Sequence, residues 1–236
     1  MKTKLIDTLI VSFLVLAGCN SGCKDANTLP DSTSTVTPLA EHNAFSVSAT
    51  KRVCFSTGNL VYDGHYFFAA NPYDGGSLFS KASAATENNK VFGGWDSLSA
   101  EGWRTLSDDE WQYLVWERPD GDKKSGLATL CGVHGLVILP DDWQGKDFKP
   151  AYENWNTNVY DSASWTIMEQ FGAVFLPAAG YSDGIKENDV GDNGYYWSTP
   201  INDTLSYYLF FFDYGVGNGY YYGDEMFRSV RLVKDL

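Results

Sequence analysis

Adjacent acidic side chains are the first candidates for chemistry in this sequence, because two nearby carboxylates can serve as general acid and general base. The adjacent pairs are Asp108 with Asp109 and Asp141 with Asp142. The chain carries 30 acidic and 17 basic residues, and in so acidic a protein adjacent acids usually lie in solvent or cap a helix. We therefore predict that the protein is not an enzyme, and we assign it no cofactor.

A stretch of oxygen donors near residue 190 is the second candidate. It contains Asp183, Glu187, Asn188, Asp189, Asp192 and Asn193. Calcium prefers about six to eight oxygen ligands, so such a loop could hold this ion. The spacing is not that of an EF-hand, and Asp-Gly and Asn-Gly pairs are ordinary turn residues. A turn is the favoured interpretation, and we assign no metal ligands.

Histidine and cysteine give no clear metal or redox site. The three histidines, His42, His65 and His134, are scattered singly, whereas a zinc site usually needs clustered ligands. Cys54 and Cys131 lie near strand-like segments. They could form a disulfide bridge or remain two buried free thiols, and the sequence leaves both alternatives open.

The C-terminal region has the composition of a contact surface. Two strand-like segments, Tyr207 to Phe212 and Ser229 to Val233, flank a segment rich in Tyr, Gly, Asn and Asp. We expect that segment to be a long loop between two strands, which is a common way to display binding residues. Tyrosine suits such a surface because it offers a rigid ring with a polar tip.

Local signals predict a first helix that begins near Ser107. Ser107 and Glu110 have the spacing of a capping box, in which each residue's side chain satisfies the other's backbone N–H. Trp111, Leu114 and Val115 then fall on one face of the helix. We expect this face to pack on the core.

A second helix and two buried strands follow. The helix is predicted from about Ser164 to Phe171, with Ser164 or Asp161 as the cap and Gly172 at its end. The segments Gly135 to Pro140 and Gly172 to Pro177 are continuous apolar runs. Such runs are typical of strands that are buried on both faces.

The tryptophans divide by context. Trp111 and Trp165 lie in the two predicted helices, where core packing is expected. Trp143 and Trp155 lie in polar segments and could stack on a sugar or a partner. The favoured alternative is that these two rings cover the edge of the core.

The N-terminal residues have the pattern of an export signal. Lys2 and Lys4 precede a mainly apolar stretch, Leu5 to Leu16, which is too short to span a membrane. Leu16-Ala17-Gly18-Cys19 resembles a bacterial lipobox, whose cysteine becomes lipid-modified. The alternative is an ordinary signal with a chance cysteine. We predict a signal peptide over residues 1–18, a flexible tether over 19–42 and an outer-membrane lipoprotein that is lipidated at Cys19.

Composition and length limit the number of domains in the rest of the chain and the kinds of partner it can bind. The hydrophobic share of 44% is enough for a core, and residues 43–236 fit one domain by length. The formal net charge is −13. Such an acidic protein repels polyanions, so we expect neither nucleic acid nor anionic lipid as a partner.

Five motifs together carry a family resemblance. They are GWRTLSDDEWQYL from Gly102, GLVILPDDW from Gly135, GAVFLPAAG from Gly172, YYWST from Tyr195 and SVRLV from Ser229. In this order they resemble the Fibrobacter succinogenes major paralogous domain and its lipoprotein relatives from gut bacteria, over about residues 45 to 234. The resemblance implies an α+β, C-type-lectin-like fold, with two helices packed on a twisted, mostly antiparallel sheet.

Proteins with this fold also include formylglycine-generating enzymes, sugar-binding lectins and the variable proteins of diversity-generating retroelements. The enzymes use cysteines late in the domain, and this chain has none after Cys131. Calcium-dependent sugar-binding lectins carry EPN and WND motifs, and this sequence contains neither. The resemblance therefore supports neither the oxidase chemistry nor the calcium route to sugar binding.

The resemblance also implies which residues face a ligand. Leu209 and Phe211 are expected to face inward, and Tyr208, Phe210 and Phe212 outward. Retroelement variable proteins diversify a C-terminal stretch, and Asn202 to Tyr222 would be its counterpart. The predicted ligand-binding set is Asn202, Asp203, Tyr208, Phe210, Phe212, Tyr214, Asn218, Tyr220, Tyr221 and Tyr222. The alternative is that a neighbouring loop, Asn71 to Asp96, covers this row and makes it core.

We therefore expect a lipid-anchored cell-surface protein that binds a protein or a glycan through an aromatic C-terminal surface. Its attachment to the membrane would be through the lipid alone. The alternative is a structural component of a surface assembly, such as a fimbrial subunit.

Overall fold

The computed structural model describes residues 43–80, 98, 101–145, 147–200, 205–222 and 225–236. The predicted signal peptide, the tether and Cys19 lie outside these residues. The described body is mixed α+β, with many short antiparallel strands and two short α-helices. This confirms the predicted α+β class.

The elements are short and numerous. The α-helices are α1 (Asp108–Gln112) and α2 (Ser162–Gln170). In chain order the strands are β1 (Phe45–Ser46), β2 (Arg52–Phe55), β3 (Leu60–Tyr62), β4 (Tyr66–Phe68), β5 (Phe79–Ser80), β6 (Trp103–Arg104), β7 (Ser125–Leu130), β8 (Val133–Ile138), β9 (Val159–Tyr160), β10 (Val174–Pro177), β11 (Tyr181–Ser182), β12 (Glu187–Asn188), β13 (Gly194–Trp197), β14 (Leu205–Phe212), β15 (Gly215–Tyr222), β16 (Phe227–Arg228) and β17 (Val233–Asp235).

The strands form four small sheets and one hairpin. The sheets have the orders β1-β2-β17-β6, β10-β8-β7-β9, β12-β11-β16-β5 and β13-β14-β15, and β3 pairs with β4. Among these pairs β7 and β9 are parallel and the others are antiparallel. The first and last strands of the described body therefore share one sheet, in which β2 pairs with both.

Helix α1 begins with the predicted capping box. The Glu110 backbone N–H donates to Ser107 Oγ at 3.2 Å, and the Ser107 N–H donates to Glu110 Oε2 at 2.9 Å. Trp111, Leu114 and Val115 are buried, as the spacing predicted. The chain continues as a π-helix over Tyr113–Glu117. It ends at Arg118, which is extended because the following residue is proline.

Helix α2 starts two residues earlier than predicted, because Asp161 rather than Ser164 is the cap. Asp161 accepts a hydrogen bond from the Ser164 backbone N–H at 2.8 Å. Gly172 follows the helix with a φ of 87°, which confirms it as the terminating residue. Trp165 and Met168 face the core, as predicted for Trp165.

The two apolar runs pair with each other as β8 and β10, in the register Phe175 with Val137. One face of the pair, including Leu136 and Leu176, joins the main core with Trp111. The other face, including Val137 and Phe175, packs with Trp165 of α2. Both runs are therefore buried on two sides, as predicted.

Two other tryptophans belong to these clusters: Trp155 is buried in the first, and Trp143 packs partly buried against the second. The core-edge interpretation of both rings is confirmed.

The predicted strand from Ser229 to Val233 is wrong. Ser229 to Leu232 lies between β16 and β17, which belong to different sheets, and only Val233 is in a strand. Between them, Val230 and Leu232 are fully buried, and their carbonyls accept hydrogen bonds from Leu60 and Ser56. The apolar alternation correctly predicts that this segment is buried. The segment is buried because it passes between sheets, and not because it forms a strand.

Neither alternative for the cysteines is correct. Cys131 is free and exposed, at the turn between β7 and β8, with a φ of 51°. Cys54 is disulfide-bonded, and since Cys131 is free the two do not bridge. A turn position places a thiol in solvent even when it follows a buried strand. Within the described residues, no helix has the length and apolarity needed to cross a membrane.

Candidate functional site

The aromatic C-terminal region is a β-hairpin and not a long loop, which corrects the prediction. Strands β14 and β15 pair over eight residues each, from Leu205 with Tyr222 to Phe212 with Gly215. Only Asp213 and Tyr214 form the turn. β13 pairs with the other edge of β14, so the hairpin belongs to a three-stranded sheet.

The inner face of this sheet is core. Leu209 and Phe211 are fully buried, which confirms their predicted inward orientation. The Phe211 ring stacks on Tyr196 of β13, with centroids 6.0 Å apart. A side chain at Gly194, opposite Phe211, would collide with this ring. The sheet is thus fixed from behind by close packing.

The outer face pairs aromatic rings with glycines. Tyr208, Phe210 and Phe212 of β14 stand directly opposite Gly219, Gly217 and Gly215 of β15. A Cβ at Gly217 would lie 2.7 Å from Phe210 Cζ, and one at Gly219 would lie 2.5 Å from Tyr208 Cζ. The rings therefore lean across the neighbouring strand, into space that any side chain would occupy. This arrangement explains why a glycine-rich segment forms a strand here.

These rings form a continuous row that we call the aromatic ladder, defined as Tyr195, Tyr208, Phe210, Phe212 and Tyr214. Successive ring centroids are 6.0, 6.1, 5.6 and 4.3 Å apart. Phe210 and Phe212 are nearly parallel, at 11°. Exposure is greatest at the turn, where Tyr214 is 73% exposed.

The three strand residues of the ladder that were predicted to face outward do lie on the face opposite Leu209 and Phe211, but Tyr208 packs there against another buried cluster, which contains Trp197. Tyr208, Phe210 and Phe212 are half-buried. The alternative, that the segment from Asn71 to Asp96 covers them, falls mainly on residues 81–96, which lie outside the described part of the chain. An aromatic row of this kind at a protein surface is typical of an interaction site.

Two predicted site residues lie on the other face of the sheet. Asn218 faces helix α1, and its Nδ2 donates to Asp108 Oδ1 at 2.8 Å. Burial, together with the charge of Asp109, raises the pKa of Asp108, and the bond from Asn218 opposes this shift. Tyr220 is 62% exposed and its ring lies 6.2 Å from Tyr207, also on the inner side. Because successive side chains of β15 point to opposite faces of the sheet, Asn218 and Tyr220 lie on the face opposite the ladder.

Of the remaining predicted residues, Tyr221 lies on the outer face of the sheet. It is half-buried at the end of the ladder away from the hairpin turn. Asn202, Asp203 and the side chain of Tyr222 lie outside the described residues.

Arg228, which was not predicted from the sequence, lies at the end of the ladder away from the hairpin turn. Arg228 is only 4% exposed, and its Cζ lies 4.0 Å from the Tyr208 ring centroid and 4.2 Å from that of Trp197. The Tyr221 ring is third, at 5.2 Å. Burial lowers the pKa of Arg228, which Tyr208 and Tyr221 partly offset. The sequence feature that could have identified Arg228 is an arginine within an otherwise apolar segment.

The acidic pairs have structural roles. Asp141 accepts hydrogen bonds from the Ser46 N–H and hydroxyl at 2.8 and 2.7 Å, and it pairs with Arg118 at 3.0 Å. Asp108 and Asp109 lie in the first turn of α1, where acidic side chains stabilise a helix. Asp108 and Asp109 agree with the capping interpretation, whereas Asp141 is neither a cap nor free in solvent, because it bonds Ser46 and Arg118.

The oxygen-rich stretch forms turns. Asp183 Oδ1 accepts from the backbone N–H groups of Ile185 and Lys186, both at 3.0 Å. Asp189 Oδ2 accepts from Asn193 and from the Tyr195 hydroxyl. These are the hydrogen bonds of turns, and Glu187 and Asn188 between them form β12. The described residues contain no group of three or more His, Cys, Asp or Glu side chains placed to hold a metal.

Comparison with protein-family models, curated proteins and solved structures gave no match. A function for this chain is therefore inferred from its own geometry.

Proposed function

We propose that this chain is a lipid-anchored cell-surface binding module whose contact surface is the aromatic ladder. The observation that carries the proposal is the register of rings and glycines on the outer face of β14 and β15. Core sheets usually fill both strands with branched side chains. Here one strand contributes bare backbone, so the rings of the other strand form a broad aromatic platform at the surface.

The chemistry of this platform suits a protein or glycan ligand. Phe and Tyr rings bury large apolar areas at low conformational cost, and the tyrosine hydroxyls add hydrogen bonds at the rim. The inner face is held by Phe211 and by the Asn218–Asp108 hydrogen bond. A platform fixed in this way loses little freedom when it binds, which favours affinity.

We further propose the C-type-lectin-like fold and a relationship to the Fibrobacter succinogenes major paralogous domain. Two features support this: the first and last strands share a sheet, and the two helices lie between strand-rich segments. In that relationship four of the five ladder residues, all except Tyr195, lie within the counterpart of the segment that retroelement variable proteins diversify.

Removal of ladder rings tests the proposed surface. We expect the full-length chain with Phe210, Phe212 and Tyr214 changed to serine to lose binding to glycan arrays and to intact cells. The matched control changes two other phenylalanines and one tyrosine, Phe67, Phe171 and Tyr62, which are 36, 48 and 52% exposed. This control should bind as the parent does.

Melting temperatures separate the outcomes. We expect the ladder variant to melt close to the control variant, because its rings lie outside the core. If the ladder variant unfolds, the single change Tyr214→Ser still tests the surface, since that ring is 73% exposed. Unchanged binding by either ladder variant would contradict the proposal.

The anchor is tested independently of the ligand. We expect Cys19→Ala to abolish lipid labelling and to leave a soluble or uncleaved form, because the thioether to the lipid cannot form. Fractionation of membranes after metabolic labelling with a fatty acid measures this. A variant that still carries label in the membrane fraction would show that another residue holds the lipid.

A further inference from the structure

We infer that Cys54 is joined by a disulfide to Cys23, and that this bridge holds the body within four residues of the lipid anchor at Cys19. The inference rests on the proposed function for the lipidation of Cys19. It adds a covalent link between the anchor segment and the body, which the proposed function does not contain. It starts from the two cysteines of the described body, which are in different chemical states.

The partner of Cys54 follows by elimination. The sequence contains four cysteines, at positions 19, 23, 54 and 131. Cys54 is disulfide-bonded and Cys131 is free, so the second sulfur belongs to Cys19 or Cys23, both of which lie outside the described residues. A lipidated cysteine carries its lipid through a thioether and therefore has no thiol to oxidise. With Cys19 lipidated, Cys23 is the remaining partner.

Cys54 is placed where another segment of the chain can reach it. Its neighbours in β2, Val53 and Phe55, belong to the main core, and Cys54 points to the opposite face of the sheet. Two long charged side chains lie beside it on that face: Arg52 is exposed, and Lys234, directly opposite on β17, is half-buried. The Cys54 sulfur lies 3.7 Å from the Lys234 carbonyl oxygen. The bridge therefore joins the body beside charged residues and not within the main core.

Formation of the bridge is a two-electron oxidation. The two thiols lose two protons and two electrons, and a disulfide-carrying oxidant accepts them. One thiolate of the chain attacks the disulfide of the oxidant, which forms a mixed disulfide and releases one thiol. The second thiolate of the chain then attacks the mixed disulfide, so the S–S bond passes to the chain and the oxidant leaves as a dithiol. Disulfides form in this way in the cell envelope, the compartment of the proposed function.

The bridge shortens the path between the lipid and the body. Without it, the chain from Cys19 to Asn43, where the described body begins, could extend to about 80 Å. With it, the path runs through Cys23 directly to Cys54 and extends to about 20 Å. Because β2 pairs with both β1 and β17, the lipid is then attached to the interior of a sheet and not to a chain end. The body is therefore held next to the membrane.

Peptide mapping of the full-length chain, purified from membranes, tests the pairing. Free thiols are blocked with iodoacetamide in denaturant, and trypsin then places residues 19–24 and 53–81 in separate peptides. We expect these two peptides to remain linked until a reductant is added, with the lipid on the first of them. Iodoacetamide should be found on Cys131 alone.

The same map distinguishes failure of the bridge from failure of the anchor. A free Cys54, or a bridge from Cys54 to Cys131, on a chain that carries its lipid would overturn the inference while the anchor stands. A linked pair without lipid, in which Cys23 is blocked, would place the bridge on Cys19. That result would overturn both the inference and the proposed lipidation.

Energy transfer to the membrane tests the shortened path. A maleimide dye attaches to Cys131, the exposed free thiol, in the parent chain and in a variant with Cys23→Ser and Cys54→Ser. Both chains are placed in phosphatidylcholine vesicles that contain an acceptor dye on a lipid headgroup. We expect the transfer efficiency to fall about twofold or more in the variant, because the longer path lets the body move away from the bilayer.

A chain with Ser21→Ala and Thr50→Ala is the matched control, because it changes the same two segments and keeps the bridge. Its transfer efficiency should equal that of the parent. Circular dichroism establishes that all three chains are folded. If the variant without the bridge unfolds, the peptide map of the parent chain still decides the pairing. Equal transfer by a folded variant and the parent would overturn the shortened path.

Discussion

Replacing Phe211 with alanine is expected to lower the free energy of unfolding by about 3–5 kcal/mol. The Phe211 ring is fully buried, stacks on Tyr196 and meets the edge of Trp155 with centroids 6.4 Å apart. It also covers Gly194, where no side chain exists to fill the resulting cavity. Urea unfolding, followed by tryptophan fluorescence, measures the loss.

Phe212→Ala is the control one residue away. Phe212 lies on the outer face, half-buried, so we expect a loss of about 1–2 kcal/mol from the apolar area it removes. The same pair of variants should behave in the opposite order in a binding assay, since Phe212 belongs to the ladder. Equal losses of stability would mean that the alternation of β14 does not separate core from surface.

Trp111→Ala is expected to have a comparably large effect, about 3–5 kcal/mol. The Trp111 side chain is 1% exposed in the main core, and its ring lies 6.1 Å from that of Phe55. Truncation would leave a large cavity beneath α1. A denaturant titration of the variant against the parent chain gives the difference.

Ser107→Ala separates helix capping from core packing. Losing the side-chain acceptor of the capping box should cost about 0.5–2 kcal/mol, less than the loss of the Trp111 ring. The Glu110 N–H would then lack the acceptor it has at 3.2 Å. Negligible shifts for both variants would contradict the assignment of α1 as a capped, core-facing helix.

The features that sequence predicted correctly depend on neighbours along the chain. The capping box of α1 joins residues three apart, and the burial of Trp111 and Leu114 follows from their helical spacing. The burial of β8 and β10 follows from unbroken apolar runs. The start of α2 was less certain because Asp161 and Ser164 are both acceptable caps, and only the chain direction after β9 decides between them.

The features that sequence did not predict depend on residues brought together by folding. Gly215, Gly217 and Gly219 indicate a loop when considered alone, because glycine lacks strand propensity. They form a strand because rings of β14 cover them. Their period of two was the signal that this segment is a strand with one bare face.

Arg228 and Arg231 illustrate the same limit. They lie three residues apart in one apolar run, and their sequence contexts are alike. Arg231 meets Asn59 and Thr57, whereas Arg228 meets Trp197 and Tyr208. All four partners are distant in sequence or belong to other strands, so local pattern could not distinguish the two arginines.

The sheet that contains β1 determines how the body responds to mechanical tension. The described body begins at the edge strand β1, in which Phe45 and Ser46 pair with β2, and β2 also contains the disulfide-bonded Cys54. Ser46 is held by Asp141, and β17 at the other terminus lies inside the sheet between β2 and β6. The ladder is in a sheet that shares no strand with this one in the described body. Tension applied at either end of the described body would therefore load this sheet and the Cys54 disulfide before it reached the hydrogen bonds of the sheet that carries the ladder.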